Sequence, residues 1–468
     1  MSVSDFHDQP LSPLDGRYRS QVGALGAYFS EAALNQARLR VEVEWLIFLA
    51  ERSILGTPEW DKKHSEQLLQ WVDGFGDAEI TQLAKLEAET RHDVKAIEYL
   101  LRNQLDSLKL SKFAELVHFG CTSEDINNLA YALTIRGAVG EVWLPKVRTL
   151  LQNLSQLALN HHDSAMLART HGQAATPTTL GKEFAVFATR IQRQLARIGK
   201  TEYLGKFGGA TGTLAAHQVA RPDLNWFELA GEFVSGMGLA HNPITTQIEP
   251  HDWQAELFQA VSHLNRILHN LATDCWTYIS LDYLVQVPVS GATGSSTMPH
   301  KVNPIRFENA ESNLELSCAI LDSLAATLVT SRLQRDLTDS SAQRNIGVGF
   351  GHSLLAIDNL ITGLEGVEVN TGQMLAELQS NWEVLAEAVQ SVIRAETVAG
   401  RSAIKDPYAL LKQLTRGKTI TQAELVAFID DLDISEEAKR RLIELRPERY
   451  LGYASQLAKL GSAAGSAA

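Results

Sequence analysis

PHDWQAELFQAVSHLNRILHNLATDCWTYISLDY, residues 250–283, decides the fold class. Trp253, Leu257, Val261, Leu264, Leu268, Leu271, Cys275 and Ile279 recur at steps of three and four, the spacing that lines one face of an α-helix. Such a helix is about 50 Å long at 1.5 Å per residue. An apolar stripe of that length needs matching stripes to cover it, so the stretch predicts a bundle of long helices. Similar patterns follow Thr176 and Pro304, and another opens at Ser30 with Leu34, Ala37, Val41, Trp45 and Phe48. Few segments alternate with period two. The reading is all-α, with minor strands at most.

The chain of 468 residues is long enough for two or three domains and a large core. Its 45% hydrophobic and 21% charged residues are ordinary for a soluble globular protein. A formal charge of −13 argues against a nucleic-acid partner, whose phosphates need clustered Lys and Arg, and leaves any anionic small substrate dependent on a local basic pocket. Cys121, Cys275 and Cys318 are widely spaced with no CxxC pair, which fits a reducing compartment and thiols buried as core residues. No basic start precedes an apolar run, and no run of about 18 uncharged apolar residues occurs. The expectation is a cytoplasmic protein that does not enter a membrane. The last nine residues, LGSAAGSAA, read as a flexible tail.

The chemistry concentrates in GATGSSTMPHKVNPIRFEN, residues 291–309. Ser295, Ser296 and Thr297 supply hydroxyls, Lys301 a cation and Asn303 an amide. Asn303-Pro304 reads as a helix N-cap followed by proline at the first helical position. The positive end of that helix and the Lys301 ammonium would together stabilise an anion near the hydroxyls. Glycine- and serine-rich loops before helices are commonly plain connectors. A connector, however, has no need of a cation and an amide at the same helix end.

Other clusters admit two readings each. In ETRHDVKAIEY, within a helical segment of roughly 77–108, Arg91, His92, Asp93 and Lys95 are either a solvated face or a binding edge. In HFGCTSEDINN, residues 118–128, Thr122 and Ser123 precede a helix that Ser123 could cap, or they donate to a substrate carboxylate. RTHGQAATP, residues 169–177, puts His171 on a loop before Thr176-Pro177, another cap and first-turn proline. RLQRDLTDSSAQRN, residues 332–345, gathers three arginines in an acidic chain, as a phosphate or carboxylate pocket or as exposed loop cations. Gly205–Gly212 is rich in glycine but lacks the context of a dinucleotide site.

GSSTMPHKVNP, residues 294–304, resembles the signature loop of the fumarase/aspartase superfamily, whose members are homotetrameric lyases that release fumarate from succinyl compounds. SPLDGRY, TRHDVKAIEY, HFGCTSEDINN, RTHGQAATP, TQIEPHD and RDLTDSS narrow the likeness to the branch that acts on adenylosuccinate and SAICAR in purine synthesis. The resemblance runs to about residue 450. It implies a helical domain over 1–111, a central long-helix domain over 112–365 and a C-terminal helical domain over 366–459, with 460–468 as tail. It also implies a twenty-helix tetramer core, active sites built from three subunits, and neither metal nor cofactor.

Carried over by motif, the resemblance makes Ser295 the general base and His171 the general acid, with Glu308 paired to His171. Lys301 and Asn303 would hold the succinyl carboxylates with Thr122, Ser123, Gln247, Ser296 and Asn309. Arg17, Tyr18, Arg335, Ser340 and Arg344 would grip phosphate and ribose. Arg91, His92 and Asp93 would line the pocket, His92 within the catalytic set. Thr213, Leu214 and Ala174 depart from the residues common at those places. An argininosuccinate-cleaving member or a catalytically silent helical scaffold are the alternatives, and the G-x-S-x-G elbow of a serine hydrolase is absent.

Overall fold

The computed structural model describes residues 9–288, 298, 300–415 and 420–466. Ser295 and Ser296 therefore lie outside the described residues. Two compact units are each assembled from three segments, Met1–Lys146, Gln194–Arg266 and Ser312–Asp358 in the first, and Val147–Arg193, Ile267–Glu311 and Asn359–Ala468 in the second.

The architecture is all-α. Helices Asp252–Ser280, Ile305–Leu328 and Ile346–Glu365 run for 29, 24 and 20 residues. Along the first, Trp253, Leu257, Val261, Leu264, Leu268, Leu271 and Cys275 are buried, so the apolar stripe is the core face. None of the described helices is long and apolar enough to cross a membrane. Among the described residues the strands form three two-stranded ladders: an antiparallel hairpin, a parallel pair Leu204–Gly205 with Ala240–His241, and an antiparallel pair Leu284–Gln286 with Val367–Val369.

In the first unit, helix Glu31–Glu51 starts at Ser30, whose hydroxyl accepts the Ala33 N–H at 3.1 Å. Its Trp45 ring lies 5.5 Å from Phe48, 4.4 Å from Phe207 and 4.9 Å from Phe233, an aromatic cluster that ties this helix to helix Trp226–Gly236. His217 wedges beside it. A Cβ on Gly120 would lie 2.3 Å from His217 Nε2, and Gly120 has φ +72°, so only glycine fits there.

In the second unit, strands Ala165–Thr170 and Gln173–Thr179 are joined by His171 and Gly172, with φ 54° and 73°. Two positive φ values in a two-residue loop are the pattern of a type I′ hairpin. Leu167 anchors the first strand in a core with Leu378, Leu385, Val389, Ile393, Leu425 and Ile429.

Several local expectations are corrected. The segment expected to be one helix over about 77–108 is two, Asp77–Thr90 and Asp93–Ser107, because Arg91 turns left-handed at φ 52° and His92 caps the second helix. Thr176-Pro177 is strand rather than helix start. Pro177 falls where the ladder is irregular between Met166 and Ala168, a position that needs no N–H donor, and the helix begins at Leu180 with Thr179 Oγ1 accepting the Lys182 N–H at 3.2 Å. Helix Ile305–Leu328 starts after Pro304, one residue later than expected. Helix Ala454–Ser462 runs into a 3-10 turn, Ala463–Ser466. Its glycines permit close packing, since a Cβ on Gly461 would lie 2.6 Å from the Ala185 Cβ.

Candidate active site

In the first unit, four motifs far apart in sequence are joined by one chain of polar contacts. Arg344 from RLQRDLTDSSAQRN bonds Asp93 of TRHDVK at 3.2 Å and pairs with Glu31. Asp93 pairs with the buried Arg38 at 3.0 Å, and Arg38 Nε donates to Asn127 Oδ1 at 2.8 Å. Asn127 Nδ2 donates to Glu124 at 2.6 Å, and Glu124 pairs with Arg335 at 2.8 Å. Arg335 also faces Asp339 at 3.9 Å, and Asp339 lies 3.5 Å from His251 of TQIEPHD. Arg38, Glu124, Asn127, His251 and Asp339 were not singled out from sequence. Their signal was only a polar residue within a helix or, for His251, just before one, and a buried one is indistinguishable from an exposed one without knowing which face is covered.

Electrostatics vary along this chain. Burial alone would raise the Asp93 carboxyl, but Arg38, the Val94 N–H and Arg344 outweigh it and hold the group below its usual range. Burial dominates at Glu124 and raises it despite Arg335. The buried Arg335 Nε has no hydrogen-bond partner among the described residues, a donor left over beside a carboxylate-rich wall.

Thr122, half-buried, caps helix Ser123–Gly137, its N–H donating to Asp125 Oδ2 at 2.8 Å; Ser123 is therefore the first helical residue rather than the cap. The glycine-rich stretch serves that same carboxylate: Gly208 N–H reaches Asp125 Oδ1 at 2.8 Å, Gly209 N–H reaches Oδ2 at 3.1 Å, and Lys206 pairs with it at 2.7 Å. It is a nest for a buried aspartate. Gln247 Nε2 donates to the Ala210 carbonyl at 3.0 Å. His92 Nδ1 accepts the Lys95 N–H at 3.2 Å, so its cap role is settled whatever else it does. Arg91 is exposed, Arg17 lies 5.8 Å from the Tyr18 ring, and Ser340 follows Asp339 on a short helix, Thr338–Gln343, with its N–H on Asp339 Oδ1 at 2.7 Å.

Behind the 118–123 loop, His118 Nδ1 lies 2.6 Å from Glu42 and its Nε2 3.8 Å from Glu98. Burial acts to lower this imidazole, yet the Glu42 hydrogen bond and the charges of Glu42, Glu98 and Asp125 together raise it.

In the second unit, His171 is exposed at the hairpin tip and Lys301 is exposed before helix Ile305–Leu328. Asn303 is half-buried, its carbonyl accepting the Ile305 N–H at 2.8 Å, and Asn309 is half-buried on that helix. Glu308 accepts from Trp276 Nε1 at 3.2 Å rather than from His171, so the expected Glu308–His171 pair is not formed within the chain. A further trio was not foreseen: Glu377 bonds both Arg169 and the Tyr283 hydroxyl, and Arg169 Nη1 donates to that hydroxyl at 3.2 Å.

The family described as Lyase matches residues 16–318, and the one described as Adenylosuccinate lyase C-terminal matches residues 331–451. Adenylosuccinate lyase from Escherichia coli is 46% identical over 446 residues, 95% of this chain and 96% of its own length. That from Haemophilus influenzae is 45% identical over 449 residues, 96% of this chain and 97% of its own. By fold, a fumarate lyase from Mesorhizobium superposes with a TM-score of 0.75 at 20% identity, over 94% of this chain and 97% of that one. A 3-carboxy-cis,cis-muconate lactonizing enzyme from Pseudomonas putida gives 0.72 at 22%, over 96% and 99%. The chain belongs to the adenylosuccinate lyases, within the fumarase/aspartase superfamily.

Proposed function

We propose that the enzyme eliminates fumarate from adenylosuccinate, giving AMP, and from SAICAR, giving AICAR, in purine nucleotide synthesis. The observation that carries this reading is the likeness to adenylosuccinate lyases at 45–46% identity over 95–96% of the chain. Ser295 takes the succinyl Cβ proton, the electron pair left behind forms the new C=C bond, and the C–N pair leaves with nitrogen, which His171 protonates. The carbanionic charge that builds beside a carboxylate is the main barrier. Lys301 and the start of helix Ile305–Leu328 offset it, at about 3 to 4 kcal/mol per well-aimed donor. The same field lowers the cost of a seryl alkoxide, so Ser295 and Lys301 act as a unit. A positioned acid at the leaving nitrogen contributes about 10²- to 10⁴-fold.

Asn303, Asn309, Thr122, Ser123, Gln247 and Ser296 hold the succinyl carboxylates; Arg17, Tyr18, Arg335, Ser340 and Arg344 take phosphate and ribose; Arg91, His92 and Asp93 line the pocket, His92 within the catalytic set. Charge arithmetic supports a shared site. Arg38, Arg335 and Arg344 are matched by Glu31, Asp93, Glu124 and Asp339, so this cluster alone carries no net positive charge to draw an anion. A cation from another copy, such as Lys301, supplies the difference. We therefore propose a homotetramer whose sites each draw on three subunits, with the regions 1–111, 112–365 and 366–459 as its domains. A cytoplasmic setting accords with the free thiols of Cys121, Cys275 and Cys318.

Ser295→Ala and His171→Ala should each lower kcat for adenylosuccinate by at least about 10²-fold with the oligomer intact. Fumarate release, followed by absorbance, reads the result, and near-normal turnover in either variant would falsify the assignment. Parallel assay with argininosuccinate separates the other fumarate-releasing chemistry, and no fumarate from either substrate would indicate a silent scaffold.

A further inference from the structure

Resting on His171 as the acid, we propose that Glu377 is a positioning residue for the elimination, holding the His171 turn and the chain that enters the signature stretch on one carboxylate. Glu377 stands on helix Thr371–Gln379 in the second unit. One of its oxygens takes Arg169 Nη2 and the other the Tyr283 hydroxyl. Arg169 Nη1 donates to the same hydroxyl at 3.2 Å, and its guanidinium lies 5.6 Å from the Tyr283 ring centroid. The three groups thus form a closed ring in which each side chain has two partners, a geometry that resists rotation of any one of them.

Each partner stands at the root of a chemical segment. Arg169 is two residues before His171, on the strand Ala165–Thr170 whose last pairs, Arg169 with Ala174 and Thr170 with Gln173, close the His171–Gly172 turn. Tyr283 is wholly buried, its carbonyl accepts the Asn370 N–H at 2.9 Å, and it immediately precedes the strand Leu284–Gln286, after which the chain enters residues 291–309. An exposed histidine on a two-residue turn has no packing of its own to fix it, so its placement is inherited from the strand below. Arg169 is only about a quarter exposed and its charge is committed to Glu377, which makes it an anchor rather than a substrate ligand. The second strand has its own tether, Thr176 to Glu387, with Tyr450 on the same carboxylate at 3.3 Å. Loss of Glu377 therefore loosens the hairpin without unfolding it.

The test is the full-length enzyme carrying Glu377→Gln, Glu377→Asp and Arg169→Met, assayed with adenylosuccinate beside His171→Ala. Glu377→Gln and Arg169→Met are expected to lower kcat by about 10- to 100-fold, the cost of an acid displaced by about an ångström, with KM within about threefold. The solvent deuterium isotope effect on kcat should rise in both, because proton delivery becomes slower. Glu377→Asp keeps the charge and should regain part of the loss, and the double variant should be no worse than either single one. Unchanged kcat in both variants while His171→Ala is inactive overturns the inference and leaves the function standing. A loss that follows thermal stability, with no change in isotope effect, overturns it too by reducing Glu377 to structural support. Full activity in His171→Ala would instead remove the reading on which the inference rests.

Discussion

Arg335 and Arg344 share a proposed role but not an environment, and removing them should separate binding from folding. Arg335 pairs with Glu124, whose side chain is 3% exposed, whereas Arg344 pairs with Glu31 and Asp93, at 56% and 28% exposed. Arg335→Met leaves a buried carboxylate without its counter-charge, only the Asn127 amide still donating to it, and we expect a loss of about 3 kcal/mol, in the range for breaking a buried pair. Arg344→Met breaks solvent-screened pairs and should cost under about 1 kcal/mol. Both should raise KM for the phosphorylated substrate. Urea titration gives the stabilities and steady-state kinetics the KM values; equal stability losses would mean that Glu124 is not the residue that depends on Arg335. The arginines themselves were legible in the sequence, because three in fourteen residues stand out in an acidic chain. Glu124 was not legible as their counter-charge, since a glutamate in a first helical turn is already explained by the helix dipole.

The elements that carry long apolar stripes were readable because burial of a stripe leaves a period in the sequence, and helix Asp252–Ser280 is the clearest case. Where local chemistry supports two structures, the period does not decide. Thr176-Pro177 satisfies a helix start and an irregular strand equally, and the pairing of the flanking Ala175 and Thr178 with Ala168 and Met166 selects the strand. The break at Arg91 and His92 was hidden because charged residues are welcome both on exposed helices and at caps. The loop 118–123 shows how neighbouring elements impose a pH response that no local pattern displays. Helix Glu31–Glu51 supplies Glu42 and helix Asp93–Ser107 supplies Glu98, and together with Asp125 they raise the His118 imidazole against the effect of burial. A histidine raised in the folded state contributes stability that is complete below its unfolded value, about 6.5, and is lost as pH rises through the folded one. We therefore expect the urea midpoint to fall as pH is raised above about 6.5, and His118→Gln, which keeps a donor for Glu42, to flatten that decline. An equal decline in the variant would assign the pH response to another group.

At the scale of the assembly, the distribution of chemistry between segments becomes a quantitative expectation. His171 stands on the hairpin of the second unit, while Thr122, Arg335 and Arg344 belong to the first, and Glu308 meets Trp276 rather than His171 within one chain. If each site draws its acid and its base from different copies, two inactive enzymes can complement each other. Ser295→Ala supplies one half-dead subunit. His171→Asn suits the other better than alanine, because His171 sits at φ 54° and asparagine tolerates that conformation. After denaturation and joint refolding at equal concentrations, a site needs an intact serine from one subunit and an intact histidine from another. Each condition is met with probability one half, so about a quarter of the sites should be whole in randomly mixed homo-oligomers. Turnover near a quarter of the parent's, appearing only after mixing, is the expected result. If one subunit supplied both groups, every site would carry one lesion and verified hybrids would stay silent. The same hybrids report on the net-charge argument, because regained activity should saturate with adenylosuccinate at the parent's KM when the whole sites have their full set of cations.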